Sequence, residues 1–418
     1  MVRNLEWAGQ FYWKVPKSIV VELSETTSEA FMAWQKAKVE NDFPAFSEYL
    51  TKILRLNRTI ADHLGYKENR YDALLNLYEQ NLTATKLDKV FGQLKKELVP
   101  FLKKVVKQSA KNKTVGKYIG PNFFYSEKRQ AQLSNFIIKR MGYDLAAGRL
   151  DVSAHPFTTT LAKNDVRITT KYLLHDFRSS FTASIHETGH ALYEQGYKDE
   201  YEDTPLESGI SLGIHESQSR FWENQVGRSE AFLTFLTPIL QAFYPEYLSS
   251  VTTQEVYTLF NHVEPGLIRI EADEVTYNFH IMLRYELEEK LINEKLEARD
   301  LPEVWRTKMK EYLGVTPTTD RGGVLQDVHW SYGNFGYFPT YTLGNLYAAQ
   351  FTNTMKKEIN LEELTGRGEF GTILSWLRDN IHRYGSSIWP DELVKKITGE
   401  ELNPRHFIEY ITEKYSVI

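Results

Sequence analysis

The chain has 418 residues, a formal net charge of −5, 42% hydrophobic and 25% charged residues, and no cysteine. That balance fits a soluble globular protein with a core large enough to wall a deep cleft. It offers no basic stripe for nucleic acid and excludes disulfides and thiolate metal sites. The start, MVRNLEWAGQFYWKV, lacks the apolar run of a signal peptide, and no stretch is long enough to span a bilayer. A cytoplasmic protein without membrane or nucleic-acid partners is therefore expected, and the Asn-x-Thr triplets at Asn57, Asn81 and Asn112 read as chance. No Pro/Gly/Ser-rich linker divides the sequence, so a single domain over 1–418 is expected.

In chain order, the first clear element follows Asp42-Phe43-Pro44, a helix start signal, with Phe46, Tyr49, Leu50, Ile53 and Leu54 at helical spacing. Amphipathic stretches then cover 85–108 and 128–142. Between Leu150 and Tyr172 the pattern changes. Asp151-Val152-Ser153, Phe157–Thr160 and Val166–Thr170 are short, rich in β-branched residues and separated by Asn164-Asp165, which predicts two or three short strands. Further helices are predicted over 181–195, from Ile214 to near Gly227, and over 231–248, 268–292, 342–358 and 402–415. The expected fold is mainly α, with a small β-sheet beside the helix at 181–195.

That helix carries His186-Glu187-Thr188-Gly189-His190. Histidines four apart share one helix face, so both can reach a single ion. A Glu between them can polarise a water on that ion, which makes H-E-x-x-H a metallopeptidase signature. Gly189 costs helix propensity, and its expected use is to give room to substrate or to a neighbouring element. A catalytic zinc needs a third protein ligand. A third-histidine motif fails, because Tyr193 and Gly196 stand where its Gly and His would be. Glu194 lies eight residues past His186, about 12 Å along the axis at about 1.5 Å per residue, too far for one ion. Glu216 in His215-Glu216-Ser217-Gln218 is the best candidate, with Glu207 as its rival; the ordinary alternative for Glu216 is an exposed pair with Arg220. His215 itself reads as a supporting or core histidine.

A peptidase acting at the C-terminus must neutralise a carboxylate, for which a guanidinium is suited. Arg269, with Asp273 as its i+4 partner, and Arg321 are candidates, although a surface ion pair is the ordinary role of either. His329, Tyr337 and Tyr341 lie in a glycine-rich aromatic run and could donate to an oxyanion, or merely pack a loop. Asp165 and Arg167 could orient the histidines or the sheet edge.

Six motifs together resemble the thermostable metallocarboxypeptidase (carboxypeptidase Taq) family over essentially the whole chain. They are His155-Pro156-Phe157, Asp165-Val166-Arg167-Ile168-Thr169, HETGH, His215-Glu216-Ser217-Gln218, Ile268-Arg269-x-x-Ala272-Asp273 and Gly323-x-x-Gln326-Asp327-x-His329-Trp330. The resemblance implies a helical, neurolysin-like fold around a deep cleft and removal of single residues from peptide C-termini. It implies His186, His190 and Glu216 as metal ligands, Glu187 as general base, and His329, Tyr337 and Tyr341 as transition-state donors. Arg269, Arg321 and Arg167 are the candidates for substrate binding. The implied metal is zinc, with cobalt as a substitute, and the implied assembly is a homodimer. The family pattern has a longer N-terminal helical region, so this region is expected to be shortened. Two other readings share the motifs: an oligopeptidase cutting internally, and a non-catalytic peptide-binding protein with a structural metal, against which an intact Glu187 argues.

Overall fold

The helix that begins at Phe43 shows how local chemistry sets the elements. Asp42 accepts a hydrogen bond from the Ala45 backbone N–H, Pro44 sits in the first turn where no N–H is needed, and the helix ends at Leu64 before Gly65. Its apolar stripe, including Phe46, Leu50, Ile53 and Leu54, is buried. The other predicted helices lie at Ala84–Ser109, Glu127–Met141, Phe177–Glu194, Leu212–Arg220, Pro339–Glu358 and Arg405–Ser416. This computed structural model describes residues 2–416.

Two predicted helices are broken. The 231–248 stretch is Glu230–Phe243 followed by Pro245–Leu248, because a proline with no N–H starts a new turn. The 268–292 stretch is a 3₁₀ turn, Arg269–Glu271, and then a helix over Tyr277–Ile292. Asp273 causes the interruption: its carboxylate accepts from the backbone N–H groups of Glu264, Val275 and Thr276 and from the Thr276 hydroxyl. It is a turn-former, not the partner of Arg269.

The chain divides into two units of dense internal packing. One comprises the chain up to Val106 with Val263–Thr342; the other comprises Lys107–His262 with the chain from Leu343 onward. In the first, the helix Tyr277–Ile292 is buried nearly all round and places Arg284 and Glu288 in the core. In the second, three strands, β1 (Leu150–Val152), β2 (Thr158–Ala162) and β3 (Asp165–Thr170), form a sheet of order β1-β3-β2. β1 runs parallel to β3, pairing Leu150 with Ile168; β2 runs antiparallel, pairing Thr159 with Arg167. Val166, Ile168 and Thr170 point inward from β3, and the Thr170 hydroxyl donates to the Ser180 carbonyl of helix Phe177–Glu194. The small sheet therefore lies beside the HETGH helix. Among the described residues no helix is long and apolar enough to cross a membrane.

Candidate metal centre

Asp176 caps the HETGH helix by accepting from the Arg178 N–H. Phe181, Ile185, Ala191, Leu192 and Tyr193 are buried, and this fixes the helix's rotation. His186 and His190 project one turn apart, with ring centroids 4.9 Å from each other. Gly189 then decides which element can approach. A Cβ there would lie 2.6 Å from Ser219 Cα and 2.7 Å from the Gln218 carbonyl oxygen, so only glycine lets the helix Leu212–Arg220 pack this closely. The room expected at Gly189 is thus taken by a neighbouring element.

This approach brings Glu216 Oε2 to 3.8 Å from His186 Nε2 and 3.4 Å from His190 Nε2. One ligand atom from each residue lies within 4.8 Å of the others, a spread that one ion could span. Gly344 closes on Glu216 from another helix, where a Cβ would overlap the Glu216 side chain. The fit to a metal follows from the donors left over. Each imidazole uses Nδ1 elsewhere, on Glu223 for His186 at 2.8 Å and on His215 for His190 at 2.6 Å, so both Nε2 atoms face the carboxylate. Two imidazole nitrogens and one carboxylate suit a borderline divalent ion.

Glu216 also pairs with Arg220 at 2.7 Å, the ordinary alternative for this residue, although the pair is buried rather than exposed. Glu223, which the sequence reading does not single out, lies in a π-helical turn, Phe221–Val226, that continues the Glu216 helix. It is buried and held by His186, Arg220 and Arg228. Burial would push both carboxyls up, but Arg220 above all, with His186, holds each well below the usual carboxylate range. Glu187 is also buried, and the Thr158 hydroxyl of β2 donates to its Oε2 at 2.6 Å. The seven-residue spacing Glu216–Glu223 around Arg220 is the sequence signal for Glu223; Thr158 has none.

The other predicted residues lie as follows. Glu207 accepts from the backbone N–H groups of Lys163 and Asp203 and stays out of the cluster. Glu194 is not a ligand position either; it accepts from His215 and Tyr197. Asp165 and Arg167 hold each other through two 2.7 Å bonds on β3, while the Nδ1 atoms of His186 and His190 take Glu223 and His215 as partners. Arg321 is exposed, its guanidinium donating to the Lys38 and Val39 carbonyls. Arg269 is buried. Its Nε and Nη2 bind Asp327 at 2.9 Å and its Nη1 binds the Tyr277 hydroxyl at 3.1 Å. Asp327 also holds the wholly buried Arg284. His329, Tyr337 and Tyr341 are gathered together in the same unit, with His329 Nε2 3.2 Å from the Tyr341 hydroxyl. Burial, with Arg269, pushes the His329 imidazole down to about 3, so it is neutral.

A largely helical fold whose HExxH helix meets a buried glutamate on a second helix defines the class as an HExxH metallopeptidase. The carboxypeptidase Taq (M32) metallopeptidase family model matches residues 2–415, and the chain belongs to that family. It is 44% identical over 417 residues to thermostable carboxypeptidase 1 of Pyrococcus furiosus, covering 99% of this chain and 83% of that protein. It is 41% identical to carboxypeptidase 1 of Bacillus subtilis, covering 96% of this chain and 80% of that protein. The solved structure of Pyrococcus furiosus carboxypeptidase, described as Apo-Mg, matches with a TM-score of 0.94 at 44% identity, covering 99% of this chain and 83% of that one.

Proposed function

We propose that the chain is a zinc-dependent carboxypeptidase that removes single residues from peptide C-termini, with cobalt able to replace zinc. The observation that carries the metal assignment is the convergence of His186 Nε2, His190 Nε2 and Glu216 Oε2, with every other imidazole nitrogen of the pair engaged. A divalent ion held there would supply Lewis-acid polarisation of a water and of the substrate carbonyl. Glu187, oriented by Thr158, takes the proton of the attacking water and returns it to the leaving amine. His329, Tyr337 and Tyr341 donate to the carbonyl oxygen as it gains charge; family membership and their clustering support this role.

Arg269 is the best of the three candidates for the terminal carboxylate. Asp327 is shared between two buried guanidiniums, Arg269 and Arg284, so this trio carries a net positive charge that a substrate carboxylate would balance. Arg167 is matched one-to-one by Asp165, and Arg321 is spent on backbone carbonyls. A cytoplasmic homodimer is the setting that the family resemblance supports. Digestion of paired peptides with free and amidated C-termini tests the reading. Stepwise loss of residues from the free form alone is expected, and equal cleavage of both overturns the exopeptidase assignment.

A further inference from the structure

His190 and Glu194 lie one turn apart on the same helix face, and between them a side chain from another helix closes a chain of hydrogen bonds. His190 Nδ1 is 2.6 Å from His215 Nδ1, and His215 Nε2 is 2.6 Å from Glu194 Oε1, which also accepts from the Tyr197 hydroxyl at 3.0 Å. We propose that His215 and Glu194 act as a relay that fixes the ring and the tautomer of His190 for metal binding, a proposal that rests on the metal-centre reading above.

A bond between two Nδ1 atoms needs one N–H and one lone pair. For His190 to offer a lone pair from Nε2, its proton must sit on Nδ1, so His215 Nδ1 accepts. The proton of neutral His215 then lies on Nε2 and points at Glu194, which as a carboxylate can only accept. Every position in the chain is consistent with one polarity, running from the ligand to the carboxylate. His186 is served differently, since its Nδ1 meets the Glu223 carboxylate directly. The two ligands are thus backed unequally, one by a charge and one by a neutral imidazole with the charge a residue farther away. A space-filling role explains His215 poorly, because 21% of its side chain reaches solvent while both ring nitrogens are bonded.

The test is zinc affinity of the metal-free protein, read by competition with a chromophoric chelator, together with melting of that metal-free protein. H215L removes both bonds and is expected to weaken zinc about 10–100-fold. H215N puts an amide oxygen near the Nδ1 position and is expected to recover most of that loss. E194Q keeps an acceptor without its charge and is expected to fall between. Melting of the metal-free forms is expected to be unchanged. Wild-type zinc affinity in H215L, or an H215N no better than H215L, overturns the relay. E216A is the control: if it still binds zinc as wild type does, the metal-centre reading itself fails, and the relay with it.

Discussion

At Gly189 the absent Cβ opposes the usual rule that alanine improves a helix. Replacing an interior helical glycine by alanine ordinarily gains about 1 kcal/mol. Here the new carbon would meet Ser219 Cα and the Gln218 carbonyl, both backbone atoms that cannot swing aside. G189A is therefore expected to destabilise the protein by about 1–3 kcal/mol and to weaken zinc binding by displacing Glu216, as read from melting curves and metal titration. Glu187 differs in kind, because it lies outside the His186, His190 and Glu216 cluster proposed to hold the ion. E187Q is expected to keep stoichiometric zinc while hydrolysis falls by at least about 10²-fold; an unchanged rate would remove Glu187 from the mechanism.

Two buried carboxyls on or beside the helix Tyr277–Ile292 respond to pH with opposite signs. Asp327 is held well below its ordinary value: burial raises it, but Arg269 and Arg284 outweigh that. Its stabilising contribution is complete above about pH 4 and is lost as pH falls below that. D327N leaves two buried guanidiniums without their carboxylate and is expected to cost about 3–5 kcal/mol in chemical denaturation. Glu288 goes the other way. Burial pushes it up to about 7, despite donors from Tyr71, Trp330 and the Gly336 N–H. Its neutral form suits the folded state, so stability should decline as pH rises from 4.5 to about 7, by ~3 kcal/mol at ~1.4 kcal/mol per tenfold. E288Q should flatten that part of the stability–pH curve. Legibility in the sequence follows from the same elements. The HETGH helix is readable because i, i+4 spacing encodes a face, whereas what that helix cannot supply leaves both Glu216 and Glu207 open, and only the fold places Glu216 beside the histidines. Glu223 is harder to read because its spacing from Glu216 and Arg220 is equally that of an ordinary row of helical ion pairs. Asp327 stands 58 residues from Arg269, and no local period carries such a pairing. Asp273, at the spacing that looks right, folds back to cap a turn instead. Rise per residue rules out Glu194 as a ligand but is silent on a third side chain coming between it and His190.

At the scale of the whole chain, His186, His190, Glu216, Glu223, His215 and Glu194 all belong to one of the two units. Removing the metal should therefore act unevenly. Chelation is expected to lower hydrogen-exchange protection in Phe177–Glu194 and Leu212–Arg220, at a cost near 4 kcal/mol if metal had been present at about 1,000 times its Kd. Helix Tyr277–Ile292 should keep its protection, and equal losses in both units would argue against this location for the metal. The division has a further consequence for biosynthesis. The chain leaves the first unit after Val106, returns to it at Val263 and departs again after Thr342, so no single scission yields two intact halves. On the ribosome, where chains emerge at about 5–20 residues per second, the stretch from His186 to Glu223 is complete before residues 263–342 exist. The proposed metal ligands are thus translated while both units are incomplete, the first without helix Tyr277–Ile292 and the second without the chain from Leu343 onward.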